Sequence, residues 1–214
     1  MARYTGPRCE LCRYIGDKLM LKGDKCSSPR CPFERRGNTA PGGRSSSSRT
    51  KTRRRVSDRG LQLREKQKVR FTYGVLEAQF RRFFDEAKRL PGTTSDNVLT
   101  LLERRLDNVV FRLGFGQSRP HARQIVRHGH IWVNDRRVDV PSYVVSAGDV
   151  VSWRPGSTKT SLYKVVAEQV EARNVPSWLR LDEQQMKGTV VSLPTTENVD
   201  SRLSGKAVVE YYSR

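Results

Sequence analysis

The stretch Ser118-Arg119-Pro120-His121-Ala122-Arg123-Gln124-Ile125-Val126-Arg127-His128-Gly129-His130-Ile131-Trp132-Val133-Asn134 changes hydrophobic period part-way along. Ala122, Ile125 and Val126 recur at three- and four-residue steps, which writes one apolar helix face. Ser118 precedes that face as an N-cap and Gly129 follows it as a stop. From Ile131 the spacing becomes alternate, so Ile131 and Val133 share one side of a strand and Trp132 faces the other. Arg119, Arg123 and Arg127 lie four residues apart. At about 100° per residue they form a stripe roughly 80° wide. A row of planar guanidiniums suits the phosphates of a folded nucleic acid, and an ordinary solvated helix face is the alternative.

Working outward, a turn near Asn134-Asp135 should join Ile131–Val133 to Arg137-Val138-Asp139-Val140, with more strand between Val144 and Trp153. On the N-terminal side, Val98, Leu101, Leu102, Leu106, Val109, Val110 and Leu113 predict one helix, with Asp96 as its cap and Gly114 after it. Phe80, Phe83, Phe84 and Ala87 predict another from Leu76 to about Leu90, its phenylalanines turned to a core. An earlier helix begins near Leu61 and stops at Tyr73-Gly74. Trp132 either stacks on an unpaired base or covers an apolar neighbour.

The only cysteines are Cys9, Cys12, Cys26 and Cys31: a CxxC pair, thirteen intervening residues, then a CxxxxC pair. Two such pairs can close a tetrahedron of thiolates, which is what structural zinc prefers. An iron–sulfur cluster accepts the same ligands, a site that has lost its metal is a further possibility, and disulfides are the weaker reading because a reducing cytosol would keep the thiols unpaired. Four protein ligands leave no position for a substrate, so a metal here folds the segment and catalyses nothing. His121, His128 and His130 are read as surface or phosphate-contacting side chains.

Lysines and arginines number 41 against 22 acids, a net charge of +19 in 214 residues, which points to a polyanionic partner. The excess is uneven. Residues 1 to 60 hold 16 basic and 5 acidic side chains, residues 61 to 137 hold 16 and 8, and the remainder hold 9 of each. A nucleic-acid footprint is therefore expected on the N-terminal two-thirds. From Gly37 to Arg59 the chain is glycine, serine and arginine without apolar spacing, so it is read as a basic flexible linker that orders on phosphates, or as a plain tether. No apolar run approaches the eighteen residues of a membrane span, and Met1-Ala2-Arg3-Tyr4 has no signal core. A cytosolic protein is expected, or an organellar one without its transit peptide, with neither membrane nor small-molecule partner.

The string from Ser118 to Gln124, with Arg127-His128-Gly129-His130-Ile131 and Val133-Asn134, resembles the signature of the S-four RNA-binding domain. Arg3-Tyr4-Thr5-Gly6-Pro7, Leu63 to Lys68, Arg105 to Val110, Arg112-Leu113-Gly114, Pro176 to Asp182 and Tyr212-Ser213-Arg214 extend the resemblance over nearly the whole chain, to the bacterial small-subunit ribosomal S-four family. It implies an α+β protein with a zinc-binding segment at 1–36, a linker at 37–60, a helical domain at 61–95 plus 180–214, and an inserted helix-plus-ribbon S-four domain at 96–179. It also implies a scaffold that binds small-subunit ribosomal RNA early at a multi-helix junction. Such a protein touches neighbouring ribosomal proteins, lies where messenger RNA enters the subunit, influences accuracy, and in some bacteria represses its own messenger. The basic and stacking residues assigned to RNA are Arg3, Arg8, Arg44, Arg49, Lys51, Arg53, Arg54, Arg55, Arg64, Lys68, Arg112, Arg119, Arg123, Arg127, His128, Trp132, Arg136 and Arg137. Two features depart from the family. Asn134-Asp135 stands where Asn-Gly is usual, so a different turn is expected, and Gly37 to Thr50 has a serine-rich core.

An RNA-modifying enzyme sharing the small domain is the first rival reading, and a zinc-finger DNA regulator the second. The first needs a separate catalytic domain, yet no phosphate-binding loop, dinucleotide fingerprint or nucleophile elbow is present. The second needs a recognition helix between the cysteine pairs, where the sequence has none of finger type.

Overall fold

A computed structural model describes residues 3–35, 57–170 and 174–213. In chain order the helices are α1 (Arg8–Ile15), α2 (Asp24–Ser27), α3 (Pro32–Arg35), α4 (Asp58–Thr72), α5 (Glu77–Ala87), α6 (Thr94–Glu103), α7 (Leu106–Arg112), α8 (Arg119–Arg127), α9 (Ser161–Val170) and α10 (Gly205–Tyr212). The strands are β1 (Ile131–Val133), β2 (Arg136–Arg137), β3 (Val150–Trp153), β4 (Leu179–Asp182) and β5 (Lys187–Val190). Helices and sheet together make an α+β protein. Among the described residues no helix is long and apolar enough to cross a membrane. Two compact units divide the chain, one from Met1–Phe80 with Arg202–Arg214, the other Arg81–Ser201.

In the first unit, Leu11, Cys12, Ile15, Leu19 and Leu21 bury one another, with Tyr4, Phe33 and Phe71 packed against them. Phe71 belongs to α4 and meets Tyr14 edge-on at 6.2 Å, while Lys68 of α4 pairs with Asp17 at 2.6 Å. The segment expected to be zinc-binding at 1–36 thus shares its packing with α4, because four aliphatic side chains are too few to close a core unaided. Residues 58 to 60, expected as linker, already form the first turn of α4, where the Ser57 hydroxyl accepts from the Gly60 N–H. Residues 37 to 56 of the expected linker lie outside the described residues. At the far end α10 packs along α4. Lys66 donates to Glu77 Oε1 at 2.6 Å, the Tyr212 hydroxyl donates to the same oxygen at 2.7 Å, and the Lys66 ammonium lies 4.7 Å from the Tyr211 ring centroid. Burial works to raise the Glu77 carboxyl, but these donors and the Arg70 charge outweigh it and hold it below the usual carboxylate range.

The second unit is built on one antiparallel sheet of order β2-β1-β3-β5-β4. Its core joins Leu106, Val109, Val110 and Leu113 of α7 to Ala122, Ile125 and Val126 of α8 and to Ile131, Val133, Val151, Trp153 and Val190 of the sheet. The expected boundary at 180 does not hold. β4 and β5 pair with each other and β5 with β3, Val151 opposite Gly188, so the chain returns to the helical unit only at Arg202. Leu179, Leu181, Gly188 and Val190 alternate along the hairpin, and alternation drives such residues onto a sheet face.

The single helix expected from Val98 to Leu113 is two. Arg105 leaves helical geometry at φ −65°, ψ 137° and forms a bridge with Val144. Leu106 N–H donates to the Tyr143 carbonyl and Val145 N–H to that of Arg104, so the neighbouring segment takes over backbone groups that a continuous helix would use. Thr93, not Asp96, is the N-cap of α6, and its hydroxyl bonds the Asp96 carboxylate. Regular strand is shorter than expected: β2 ends at Arg137, and of the stretch from Val144 only Val150–Trp153 is strand. The turn at Asn134-Asp135 has two residues. Asn134 and Asp135 both have positive φ, 50° and 59°, and Asn134 is held by its Oδ1 accepting from Val150 N–H and its amide donating to Asp149.

Gly116 sits where the chain enters α8, and a Cβ there would lie 2.8 Å from the Ala122 nitrogen and 2.9 Å from its Cα. Because the obstacle is helix backbone, Gly116→Ala should destabilise the protein by about 1–3 kcal/mol through overpacking. An unchanged thermal unfolding midpoint would contradict that reading of the α8 entrance.

Candidate nucleic-acid interface and cysteine cluster

The break between α6 and α7 concentrates charge. Glu103 ends α6 with its side chain fully buried, and Arg105 and Asp107, 0 and 5% exposed, begin α7. Arg105 grips Asp107 with two parallel bonds, Nε to Oδ1 at 3.1 Å and Nη2 to Oδ2 at 2.7 Å. Its Nη1 is buried without a hydrogen-bond partner among the described residues, and its guanidinium carbon lies 5.5 Å from the Phe83 ring centroid. Arg112 grips Glu103 in the same two-pronged way at 2.9 and 2.8 Å. Asn108 completes the arrangement by donating to both the backbone and the carboxylate of Glu103. Forked guanidinium–carboxylate pairs are among the stronger polar contacts a protein makes.

Helix α8 is fastened to this cluster. The Ser118 hydroxyl accepts from His121 N–H and Pro120 occupies the first turn, as the sequence implies. Arg119 Nε donates to Asn108 Oδ1 at 2.8 Å, its Nη2 is 3.9 Å from Glu103, and it lies over the Phe111 ring at 4.7 Å. Arg123 donates to Asp107 Oδ2 at 2.8 Å. Two members of the expected stripe are therefore 11 and 12% exposed and engaged with carboxylates, whereas Arg127 is exposed. The stripe is not a uniform solvent face, because Glu103 and Asp107 stand beneath its first two positions.

Past α8 the exposed groups gather. Gly129 has φ 73°, and a Cβ on it would meet Arg137 Nε at 2.8 Å, so the Arg137 guanidinium lies against the end of the helix beside exposed His128 and Arg127. Arg136 is exposed on the same ribbon, and Arg137 is only loosely paired with Asp139 at 3.7 Å. Trp132 faces away from buried Ile131 and Val133 as expected, but it is half covered and its indole N–H is buried without a hydrogen-bond partner among the described residues. His130 is partly covered. It contacts the Ser157 hydroxyl at 2.9 Å and packs on Trp153, and burial, with help from His128 and Arg154, keeps its pKa below the usual histidine value. Burial lowers His121 likewise.

In the helical unit Arg3 and Arg64 are exposed. Arg8 lies over the Tyr4 ring at 5.4 Å, and Lys68 is committed to Asp17 with only 12% of its side chain exposed. Arg44, Arg49, Lys51, Arg53, Arg54 and Arg55 lie outside the described residues. Sequence reasoning missed Arg154, exposed beside His130, and gave no role to Glu103, Asp107 and Asn108. The only hint was that Arg105, Asp107, Asn108 and Arg112 fall within the motifs that carry the family resemblance.

All four cysteines are free thiols, with Cys12, Cys26 and Cys31 buried and Cys9 half-buried. Burial pushes the Cys12 and Cys26 thiols up, and the charges of the other cysteines push the same way. Against this, backbone hydrogen bonds from Leu19 to Cys12, and from Lys22 and Leu21 to Cys26, favour thiolates; the Lys22 bond to Cys26 Sγ is 3.3 Å. Among the described residues, no group of three or more histidine, cysteine or acidic side chains is arranged to hold a metal ion. The donor chemistry suits a soft cation.

Comparison with known proteins identifies the family. Residues 3–103 match the family described as ribosomal protein S4/S9 N-terminal domain, and residues 104–151 match the S4 domain. Over the full length of both chains, the protein is 52% identical to small ribosomal subunit protein uS4 of Dehalococcoides mccartyi and of Thermoanaerobacter sp. strain X514, and 48% identical to that of Geobacter sp. strain M21. Identity at that level over the full length of both chains makes the conclusion direct: the chain belongs to the uS4 family of small ribosomal subunit proteins.

Proposed function

We infer that this chain is a structural, non-enzymatic constituent of the small ribosomal subunit in the cytoplasm, and that it binds small-subunit ribosomal RNA directly. Its full-length identity to uS4 proteins carries the reading. The charge of +19 and the exposed group of Arg127, His128, Arg136 and Arg137 agree with it, since clustered guanidiniums bind phosphates and release counterions. The resemblance supports finer content: early binding at a multi-helix junction of the subunit body, contact with neighbouring ribosomal proteins, and a seat near incoming messenger RNA that bears on accuracy. A translational repressor using the same RNA surface is compatible with these features, whereas an RNA-modifying enzyme is not favoured by the family assignment.

The exposed and the fastened arginines should separate in experiment. Arg127→Ala, Arg136→Ala and Arg137→Ala should each weaken binding to small-subunit RNA and flatten the salt dependence by about one unit or less. Their unfolding free energies should stay within about 0.5 kcal/mol of the parent. Arg123→Ala should lose about 1.5–3 kcal/mol of stability as well, because a charged hydrogen bond to Asp107 goes with it. Affinity and salt slope unchanged in all three exposed variants would remove this surface from the RNA footprint.

We also propose that Cys9, Cys12, Cys26 and Cys31 hold one structural metal ion, zinc in preference to an iron–sulfur cluster. Four thiols in one small unit and the backbone N–H bonds to two of them support this. When bound, the ion would supply cross-linking free energy to a segment with few aliphatic residues of its own. Elemental analysis of protein purified without chelator should find about one zinc per chain. Cys26→Ser should loosen residues 3–35 while α8 and the sheet stay folded. Freshly isolated subunits whose copy of the protein carries no metal would overturn the proposal.

A further inference from the structure

We propose that the buried carboxylates Asp107 and Glu103 are positioning residues of the RNA interface, holding Arg123 and Arg119 on α8 in their phosphate-ready geometry before RNA arrives. This rests on the reading above that α8 faces RNA.

The argument begins from the cost of burying charge. An isolated carboxylate in a core would be strongly unfavourable, and a hydrophobic residue would fill the space between α7 and α8 at no such penalty. Both acids are instead buried to within 5% of complete and each is shared by two arginines: Asp107 by Arg105 and Arg123, Glu103 by Arg112 and, at 3.9 Å, Arg119. In each pair one partner makes a two-pronged grip, Arg105 on Asp107 and Arg112 on Glu103, which fixes the carboxylate plane. The other partner comes from α8, with 11% of the Arg119 and 12% of the Arg123 side chain in solvent, against 20% for Arg112 and none for Arg105. Arg119 is further fixed by Asn108 and by the Phe111 ring. A long side chain pinned in this way has already lost its rotamer freedom, so contact with phosphate does not have to order it. The gripping arginines serve the acids and the acids serve the α8 arginines.

This arrangement makes a prediction opposite in sign to simple electrostatics. Removing a negative charge from a basic RNA-binding surface should tighten binding if only net charge matters. Asp107→Asn and Glu103→Gln should instead weaken binding of a small-subunit RNA junction fragment by about tenfold. Their salt slopes should be flatter by up to about one unit although each protein is more positive. Asp139→Asn, which removes an exposed acid beside Arg137, should bind as tightly as the parent or tighter. Binding is read at a temperature where circular dichroism shows each variant folded; a merely structural defect would leave the salt slope of the folded protein unchanged. The unmodified protein supplies a readout independent of variant folding: the Nε protons of Arg105, Arg112 and Arg119 should resist exchange with water in the free chain, as seen by nitrogen-15 NMR. Tighter or equal binding by folded Asp107→Asn and Glu103→Gln, or Nε protons that exchange at the solvent rate, would overturn the positioning role. An unmodified chain that fails to bind the fragment would overturn the functional reading instead, and the proton-exchange result would still decide whether the arginines are held in advance.

Discussion

A pair of buried carboxylates, Glu103 and Asp107, is the constraint on which the second unit depends. Each sits at a helix end where ordinary packing would place an aliphatic residue, and each obliges arginines from different parts of the chain to converge. Once Arg105 is committed inward to Asp107 and over Phe83, the backbone at 104 and 105 leaves the helix and exchanges hydrogen bonds with residues 143 to 145. Breaking such a network by removing one partner is costly, typically about 3–5 kcal/mol for a fully buried pair, because the survivor stays charged and dry. Surface pairs such as Arg137 with Asp139, about half exposed on each side, carry little of that weight.

The orientation of α8 follows from this cluster and from two glycines. Gly116 lets the incoming chain touch the Ala122 backbone, and Gly129 lets the Arg137 guanidinium lie against the helix end. Between them the helix presents a graded face: Arg119 and Arg123 fastened near its start, Arg127 and His128 exposed near its finish, with the ribbon arginines alongside. Such a surface combines a rigid portion, which supplies geometry, with a solvated portion, which supplies long-range attraction. That division suits a protein that binds ribosomal RNA, since phosphate contacts set register and orientation more than they read sequence.

Much of this was legible from local pattern. Ser118, the spacing of Ala122, Ile125 and Val126, and Gly129 delimit α8 to within a residue, and the alternation at Ile131 to Val133 gives β1 and the side that Trp132 takes. What local pattern misreads is set by partners distant in sequence. Arg119, Arg123 and Arg127 are equivalent on a helical wheel, and only the position of Glu103 and Asp107, a dozen or more residues upstream, separates the first two from the third. The apolar repeat from Val98 to Leu113 continues in phase through a break caused by residues 143 to 145. β4 and β5 alternate visibly, yet their place beside β3 is a long-range pairing that short strands do not announce. The cysteine spacing identifies four thiols of one small segment, while the packing of Leu11 to Leu21 on Phe71 is nowhere in that spacing. Asp135 shows the reverse case: it tolerates positive φ less well than the glycine usual there, and the Asn134 side chain bonds to Val150 and Asp149 hold the turn regardless.

The central claim, that α8 is held through buried charge and not by its apolar face alone, is tested most directly by a double-mutant cycle on folding stability. Asp107→Asn, Arg123→Gln and the double variant are compared by denaturant unfolding of the full chain. If the contact is energetic, the double variant should lose less than the sum of the single losses, with a coupling of about 0.5–3 kcal/mol. Single losses that add to within about 0.3–0.5 kcal/mol would contradict the account and leave Ala122, Ile125 and Val126 to hold the helix on their own.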